Sequence, residues 1–426
     1  MTQRKFNPQV WLKLLTLGIG VKRWALLFFG GVTLLGLGFA MLAVDLYRAQ
    51  PRGSWVYAIT LGGLPLALRV AIAAALGLGA VGLSLYMMNR SILAPLALGG
   101  TELIEALVAY QRGQRGPKIV AIGGGTGMPT LLRGLKNHTA NLTAIVTVAD
   151  DGGSSGRLRR DLGVLPPGDF RNNLAALAGD EGLMTQLFQY RFGEGGLEGH
   201  SFGNLFITAM GAVTGSFEEA LAESSRVLAI KGQVLPSTLT DVKLVADFKA
   251  NGGNGRKRVE GESAIPEAVG AIERVMLQPD DAPAHPDAVK AILAADMIVL
   301  GPGSLYTSIL PNLLVRGIAQ AIRASKARKV YVCNVATQRG ETEGYGVAEH
   351  VAAIEQHMGG ASLDVALIND HFPTLAADAN FAYVRLEPGA ERGLRQRVRS
   401  APLADTQRPW RHNADALGGA ILGLLQ

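Results

Sequence analysis

The chain has 426 residues, enough for two or three domains, and 48% of them are hydrophobic, which is apolar for a wholly soluble protein. Cys333 is the only cysteine, which excludes intrachain disulfides and a cysteine-rich zinc site and suits a reducing compartment. The net charge of +6 is uneven: residues 1–117 hold 11 Lys and Arg against 3 Asp and Glu, an excess of +8 that leaves −2 for residues 118–426, so no basic stripe or motif for nucleic acid accompanies the soluble part.

From Trp24 to Val44 the chain carries no charge over about 20 residues, which at ~1.5 Å per residue matches the ~30 Å core of a bilayer. A second apolar stretch, over residues 66–88, is interrupted only by Arg69, whose long side chain can snorkel to the interface. Residues 1–92 are therefore expected to be a membrane anchor with transmembrane helices over 24–44 and 66–88. Arg4, Lys5, Lys13, Lys22 and Arg23 precede the first span, whereas only Arg48 and Arg52 lie between the two. The positive-inside rule then places the N-terminus and everything after the second span in the cytoplasm, as a multi-pass protein of the cell membrane. Ala71, Ala75 and Gly79 form a small-residue ridge of the kind that pairs membrane helices, which leaves a homo-oligomer open.

Residues 93–117 read as an amphipathic helix, over 99–112, and a turn-rich linker, GQRGP. From residue 118 to 426 short β-rich runs, KIVAI, LTAIVTV, DMIVL, KVYVCNV and LDVALI, alternate with helical stretches. That alternation predicts an α/β domain, a mostly parallel sheet with helices on both faces, with ligands at the carboxyl ends of the strands. DVKLVADF and RKRVEGES flank NGGNG, a β-hairpin signature read as an inserted subdomain over about 233–265. Helices are expected before it, at 221–230, and after it, at 266–277.

Three loops carry the candidate chemistry. The first strand runs into Gly123, Gly124, Gly125, Thr126 and Gly127, and Pro129 then opens a helix, whose N-terminus suits a phosphate. The spacing satisfies neither the dinucleotide fingerprint nor a Walker A loop. The second strand ends in Asp150 and Asp151, 25 and 26 residues after Gly125, followed by Ser154, Ser155 and Arg157. The two carboxylates suit a ribose, an acceptor substrate or Mg²⁺, the one metal this pattern suggests, and the residues after them suit a second anionic group. The third loop, with Gly301, Gly303, Ser304 and Thr307, repeats the logic of the first, and two such loops favour a ligand with two phosphates. GHSFG at 199–203 matches the nucleophile elbow of hydrolases literally, but glycine-rich loop stands where the elbow needs a strand. His200 and Asn204 are read instead as ligand contacts or helix caps. No acid, base or nucleophile set is evident, so no catalytic residue is assigned.

GGGTGMPTLLRGL, ADDGGSSGRLR, LPPGDFRNNLAALA, GHSFGNLFI, LPSTLTDVKL, GPGSLYTSILPNLL and TQRGETEGYGVAEHV, in this order over residues 118–426, resemble the YvcK family of gluconeogenesis factors in the CofD-like superfamily. The resemblance implies a Rossmann-like fold of the CofD type. CofD itself is a phospholactyl transferase with a nucleoside diphosphate-linked donor and Mg²⁺, whereas the YvcK branch is known for binding UDP-sugars, notably UDP-N-acetylglucosamine, in support of cell shape and wall synthesis under gluconeogenic growth. It thus implies a sugar-nucleotide-binding regulator with cell-wall synthesis proteins as partners, or alternatively a CofD-type transferase. RHNADAL resembles the family's sugar-nucleotide segment and adds Arg411 to the candidate contacts, while residues 371–386 depart from the family's tyrosine-containing stretch.

Overall fold

The structure is a computed structural model that describes residues 116–425 apart from 180–181, 250–255, 375–380, 391–393 and 395–396, together with isolated positions between 32 and 75. The spans expected over 24–44 and 66–88 fall, but for those isolated positions, outside the described residues, as does the helix expected over 99–112. Among the described residues no helix is long and apolar enough to cross a membrane. The chain divides into two compact units, Met1–Gln111 and Arg112–Gln426, and the second carries both β-sheets.

Seven strands form its main sheet: β1 (Ile119–Gly123), β2 (Leu142–Val146), β3 (Gln233–Pro236), β7 (Met297–Leu300), β8 (Arg328–Val332), β9 (Val365–Asn369) and β10 (Arg397–Ala401). Their order is β10-β9-β8-β7-β1-β2-β3, and every pairing is parallel. β1, β2, β7 and β9 are buried at every position, as expected of strands covered on both faces, and this explains why they read as nearly continuous apolar runs, with Thr143 and Asn369 the polar exceptions. The helices between them are α1 (Met128–Leu135), α2 (Gly153–Leu162), α3 (Gly168–Leu177), α4 (Leu183–Gln189), α5 (Phe202–Thr214), α6 (Phe217–Val227), α7 (Pro286–Leu293), α8 (Leu310–Leu314), α9 (Arg316–Ala324), α10 (Val347–His357) and α11 (Ala414–Gly423).

From β1 the chain proceeds outward through β2 and β3, then returns to β7 on the other side of β1 and proceeds outward again. The switch point therefore lies between β1 and β7, where open α/β sheets leave a crevice beyond their carboxyl ends. The loops that emerge there are Gly123–Gly127 and Gly301–Ser304.

The insertion departs from expectation in two ways. The hairpin forms as predicted, from β4 (Lys243–Lys249) and β5 (Arg256–Glu260), but residues 266–277 are not a helix: they lead into β6 (Ala271–Gln278), which pairs antiparallel with β4. Gly270, at φ 132°, interrupts any helix there, and Ile272, Val275 and Leu277 fill the core while the residues around them are more exposed. The inserted sheet thus spans 243–278 rather than 233–265, and Gln233–Pro236, assigned to it from sequence, is the edge strand of the main sheet. α7, further along the chain, returns it to β7.

Candidate functional site

The two loops at the switch point touch. A Cβ on Gly127 would lie 2.5 Å from the Pro302 carbonyl oxygen and 2.9 Å from the Gly303 amide nitrogen, so only glycine permits this approach. Between and above them opens a cleft of about 470 Å³. Thr126, Gly127 and Thr130 line one wall and Gly303 and Ser304 the other. Asn334, Gln338 and Arg339, from the loop after β8, and Phe381, Trp410 and Arg411 complete it. Asn334 Oδ1 accepts from the Gly303 amide at 3.3 Å, and Gln338 Nε2 donates to Ser304 Oγ at 2.7 Å. Gln338 Oε1 is buried with no hydrogen-bond partner among the described residues, an acceptor without a donor. His412 Nε2 donates to the Cys333 carbonyl at 3.1 Å, and burial pushes its pKa down to about 4. As a neutral ring it ties the segment bearing Trp410 and Arg411 to the end of β8. The Phe381 and Trp410 rings, 5.8 Å apart, offer apolar faces at the rim.

The first three glycines of the β1 loop do not line the cleft. The Gly125 amide donates to Asp169 Oδ2 at 2.7 Å, so that donor is committed to a carboxylate, and of this loop Thr126 and Gly127 line the cleft. In the third loop Gly303 and Ser304 face the cleft, Gly301 does not line it, and Thr307 is buried with its hydroxyl donating to Glu341 at 2.9 Å.

Asp169 heads a group of acids behind the glycine loop. It is part-buried, and desolvation, with repulsion from Asp150, pushes its pKa up to about 7. Glu262, contributed by the insertion, is pushed up to about 8 by desolvation and by Asp150 and Asp169. Burial also raises Asp150, against the lowering effect of its hydrogen bonds to the Gly152 amide and Ser155. Asp151 is separate in role. Its two oxygens accept from the Glu262 and Ser263 amides at 3.1 and 2.9 Å and so anchor the return loop of the insertion. Asp150 and Asp151 thus do not converge on one cation. Among the described residues no three His, Cys, Asp or Glu side chains are arranged to hold a metal ion. Mg²⁺ would fit only through Asp150 or Asp169, with phosphate and water filling the octahedron.

Ser154, Ser155, Arg157, His200 and Asn204 gather beside this group. Ser154 Oγ lies 3.0 Å from His200 Nδ1 and accepts from Asn204 Nδ2 at 3.1 Å, and Ser155 Oγ accepts from the Gly168 amide at 3.0 Å. Arg157 instead bonds the Glu198 carbonyl at 2.7 Å. Burial, followed by Arg157, lowers the pKa of His200. Ser201, the serine of the GHSFG match, caps α5 by accepting from the Asn204 amide. Ser201→Ala should cost about 1 kcal/mol in denaturant unfolding and leave ligand binding intact, an outcome that a nucleophilic serine would not give.

Sequence reasoning missed Asp169, Glu262 and Gln338. Asp169 and Gln338 lie inside LPPGDFRNNLAALA and TQRGETEGYGVAEHV, motifs legible as wholes but not residue by residue. Glu262 lies in the loop that follows β5, where nothing local marks it as part of a site.

The family model described as 2-phospho-L-lactate transferase CofD matches residues 119–395. A gluconeogenesis-factor protein of Nostoc sp. is 48% identical over 97% of this chain and 92% of its own length, so most of the N-terminal segment has a counterpart there. The gluconeogenesis factor of Bacillus subtilis is 52% identical over 59% of this chain and 78% of its own. A crystal structure of a UPF0052 family member from Bacillus halodurans, 45% identical, superposes with a TM-score of 0.68 over 73% of this chain and 100% of that one. With a family model over residues 119–395 and relatives of this identity and coverage, the chain belongs to the CofD family and, within it, to the gluconeogenesis factors of the YvcK (UPF0052) group.

Proposed function

We propose that this protein is a sugar-nucleotide-binding regulator that supports cell morphogenesis and wall synthesis under gluconeogenic growth, with a UDP-N-acetylglucosamine type of ligand in the switch-point cleft. The observation that carries the reading is the cleft itself. Two helix-opening loops meet there with the amides and hydroxyls of Thr126, Gly127 and Ser304, which suits a diphosphate. Arg411 supplies a guanidinium for phosphate or sugar, Phe381 and Trp410 supply faces for a base, and Gln338 Oε1 awaits a donor. Titrating the purified chain with UDP-N-acetylglucosamine tests it: Arg411→Ala should weaken binding about tenfold, the ~1.4 kcal/mol typical of one charge-assisted contact. Equal affinity in native and variant protein would remove Arg411 from the site, and no affinity in either would remove the reading.

A CofD-type transferase, moving a phospho-group from a nucleoside diphosphate-linked donor, is the second reading. The acidic group of Asp150, Asp169 and Glu262 beside the glycine loop favours it, since phosphoryl-type transfer needs mainly positioning and charge neutralisation. Release of a nucleoside phosphate, dependent on Mg²⁺, would install it in place of the regulator.

The anchor reading joins the proposal: two N-terminal helices hold the domain at the cytoplasmic face of the membrane, near the wall enzymes it would control. A cysteine placed at Ser54 should react with an impermeant reagent in intact cells, and reaction only after permeabilisation would reverse the topology.

A further inference from the structure

We propose a second ligand site, for a small polyanion, in the groove between the inserted sheet and helices α9 and α10. The groove has a volume of about 480 Å³ and shares no lining residue with the switch-point cleft. That volume is within the ~300–1,000 Å³ of small-molecule sites.

Three arginines line it: Arg274 from β6, and Arg316 and Arg323 from α9. The one carboxylate in its lining, Asp280, is paired with Arg316 at 2.8 Å. Across the strand pair from Arg274 stands Asp247, but both of its oxygens already accept from Arg258, at 2.8 and 3.2 Å. Arg323 gives one nitrogen to the Met358 carbonyl at 3.0 Å. The chain is shaped around that guanidinium, because a Cβ on Gly359, at φ 67°, would lie 2.3 Å from it. Neither Arg274 nor Arg323 has a carboxylate partner among the described residues. His357, at the end of α10, donates from Nδ1 to the Ala353 carbonyl at 2.7 Å, and burial lowers its pKa, so it adds a neutral ring. The groove therefore holds two guanidinium groups that stand outside any ion pair among the described residues, with Asp247, already bound by Arg258, as the nearby counter-charge to Arg274, above an apolar floor from β6 and α8.

Such a lining repels cations and selects a compact molecule with two or more phosphate or carboxylate groups, the chemistry that arginine forks match best. Bound there, the ligand would bridge the insertion, through Arg274, to the helices of the main sheet, through Arg316 and Arg323. It would thereby fix the element that delivers Glu262 to the acidic group.

Calorimetric titration of the full chain with inorganic pyrophosphate and, separately, citrate tests the site and distinguishes phosphate from carboxylate ligands. We expect one or both to bind the native protein, and Arg274→Glu with Arg316→Glu to lose at least tenfold in affinity at an unchanged melting temperature. Should the double reversal fail to fold, Arg274→Gln alone, at an exposed position, should still lose affinity severalfold. Binding of neither anion to the native protein would overturn the proposal. So would an affinity that survives the reversal and falls in Arg411→Ala, which would assign the anion to the switch-point cleft. Affinity for UDP-N-acetylglucosamine, measured in parallel, reports on the function proposed above and not on this groove.

Discussion

Gly127→Val is expected to abolish sugar-nucleotide binding, with a loss of at least ~100-fold in affinity, or about 2.7 kcal/mol. Any side chain at this position meets backbone, the Pro302 carbonyl oxygen at 2.5 Å and the Gly303 amide at 2.9 Å, and backbone cannot swing away as a side chain can. The two loops must then separate, and with them the amides and hydroxyls that would share a diphosphate. Overpacking of this kind costs about 1–3 kcal/mol of stability, within what a domain of this size tolerates, so the variant should fold and fail to bind. Gly124→Ala is the informative contrast. Its Cβ would meet the Asp169 carboxylate at 2.6 Å, so the strain falls on the acidic group behind the loop and the cleft should keep much of its affinity. Calorimetry with UDP-N-acetylglucosamine, paired with denaturant unfolding, measures both. A folded Gly127→Val variant that binds as the native protein does would place the diphosphate elsewhere.

Much of this architecture was legible in the sequence because its main strands are buried on both faces. Ile119–Gly123 and Met297–Leu300 read as short apolar runs, and the loops after them announce themselves with glycine and an early proline. That both loops lie at the carboxyl end of the sheet followed from alternation, whereas their meeting at one switch point depends on the strand order, β7 beside β1. The edge strands were illegible for the converse reason. Gln233–Pro236 is half-exposed and ends in proline, and Arg397–Ala401 has three polar residues in five, so neither carries the apolar run that marks a central strand. The error at residues 266–277 arose where PEAVGAIERVML fits a helical period as well as a strand's, and pairing with β4 decided the matter. In the site, the sequence located the loops but not the direction each residue faces. Asp150 and Asp151 are neighbours in the chain, yet one joins the buried acids and the other holds the insertion. That division depends on Gly261–Ser263, more than a hundred residues away, which no local pattern predicts.

Asp169→Asn is expected to stabilise the protein at alkaline pH. In the folded chain Asp169 holds its proton up to about pH 7, against an ordinary value of 3.8, because its carboxyl is partly withdrawn from water and Asp150 stands beside it. Glu262 behaves in the same way up to about pH 8. Between pH 4 and 8 the folded state therefore binds more protons than the unfolded state, and stability must fall as pH rises through this window. For Asp169 the whole effect is at most about 4 kcal/mol. Asparagine keeps an oxygen for the Gly125 amide and removes the charge that burial opposes. The variant should melt several degrees above the native protein at pH 8.5, each kcal/mol being worth about 2–4 °C in a domain of this order, with the difference vanishing near pH 4. Thermal unfolding at the two pH values measures it. A variant that melts below the native protein at pH 8.5 would mean that the ionised carboxylate is held there by favourable charge, and the acidic group would have to be redrawn. Mg²⁺ then separates the two functional readings. If the acids hold a cation together with a ligand's phosphates, as a transferase requires, Mg²⁺ and nucleotide added together should raise the melting temperature of the native protein at pH 8.5 beyond nucleotide alone, and Asp169→Asn should lose that increment. If the carboxylates only brace the glycine loop beneath a regulator's ligand, nucleotide alone should give the full increment in both proteins.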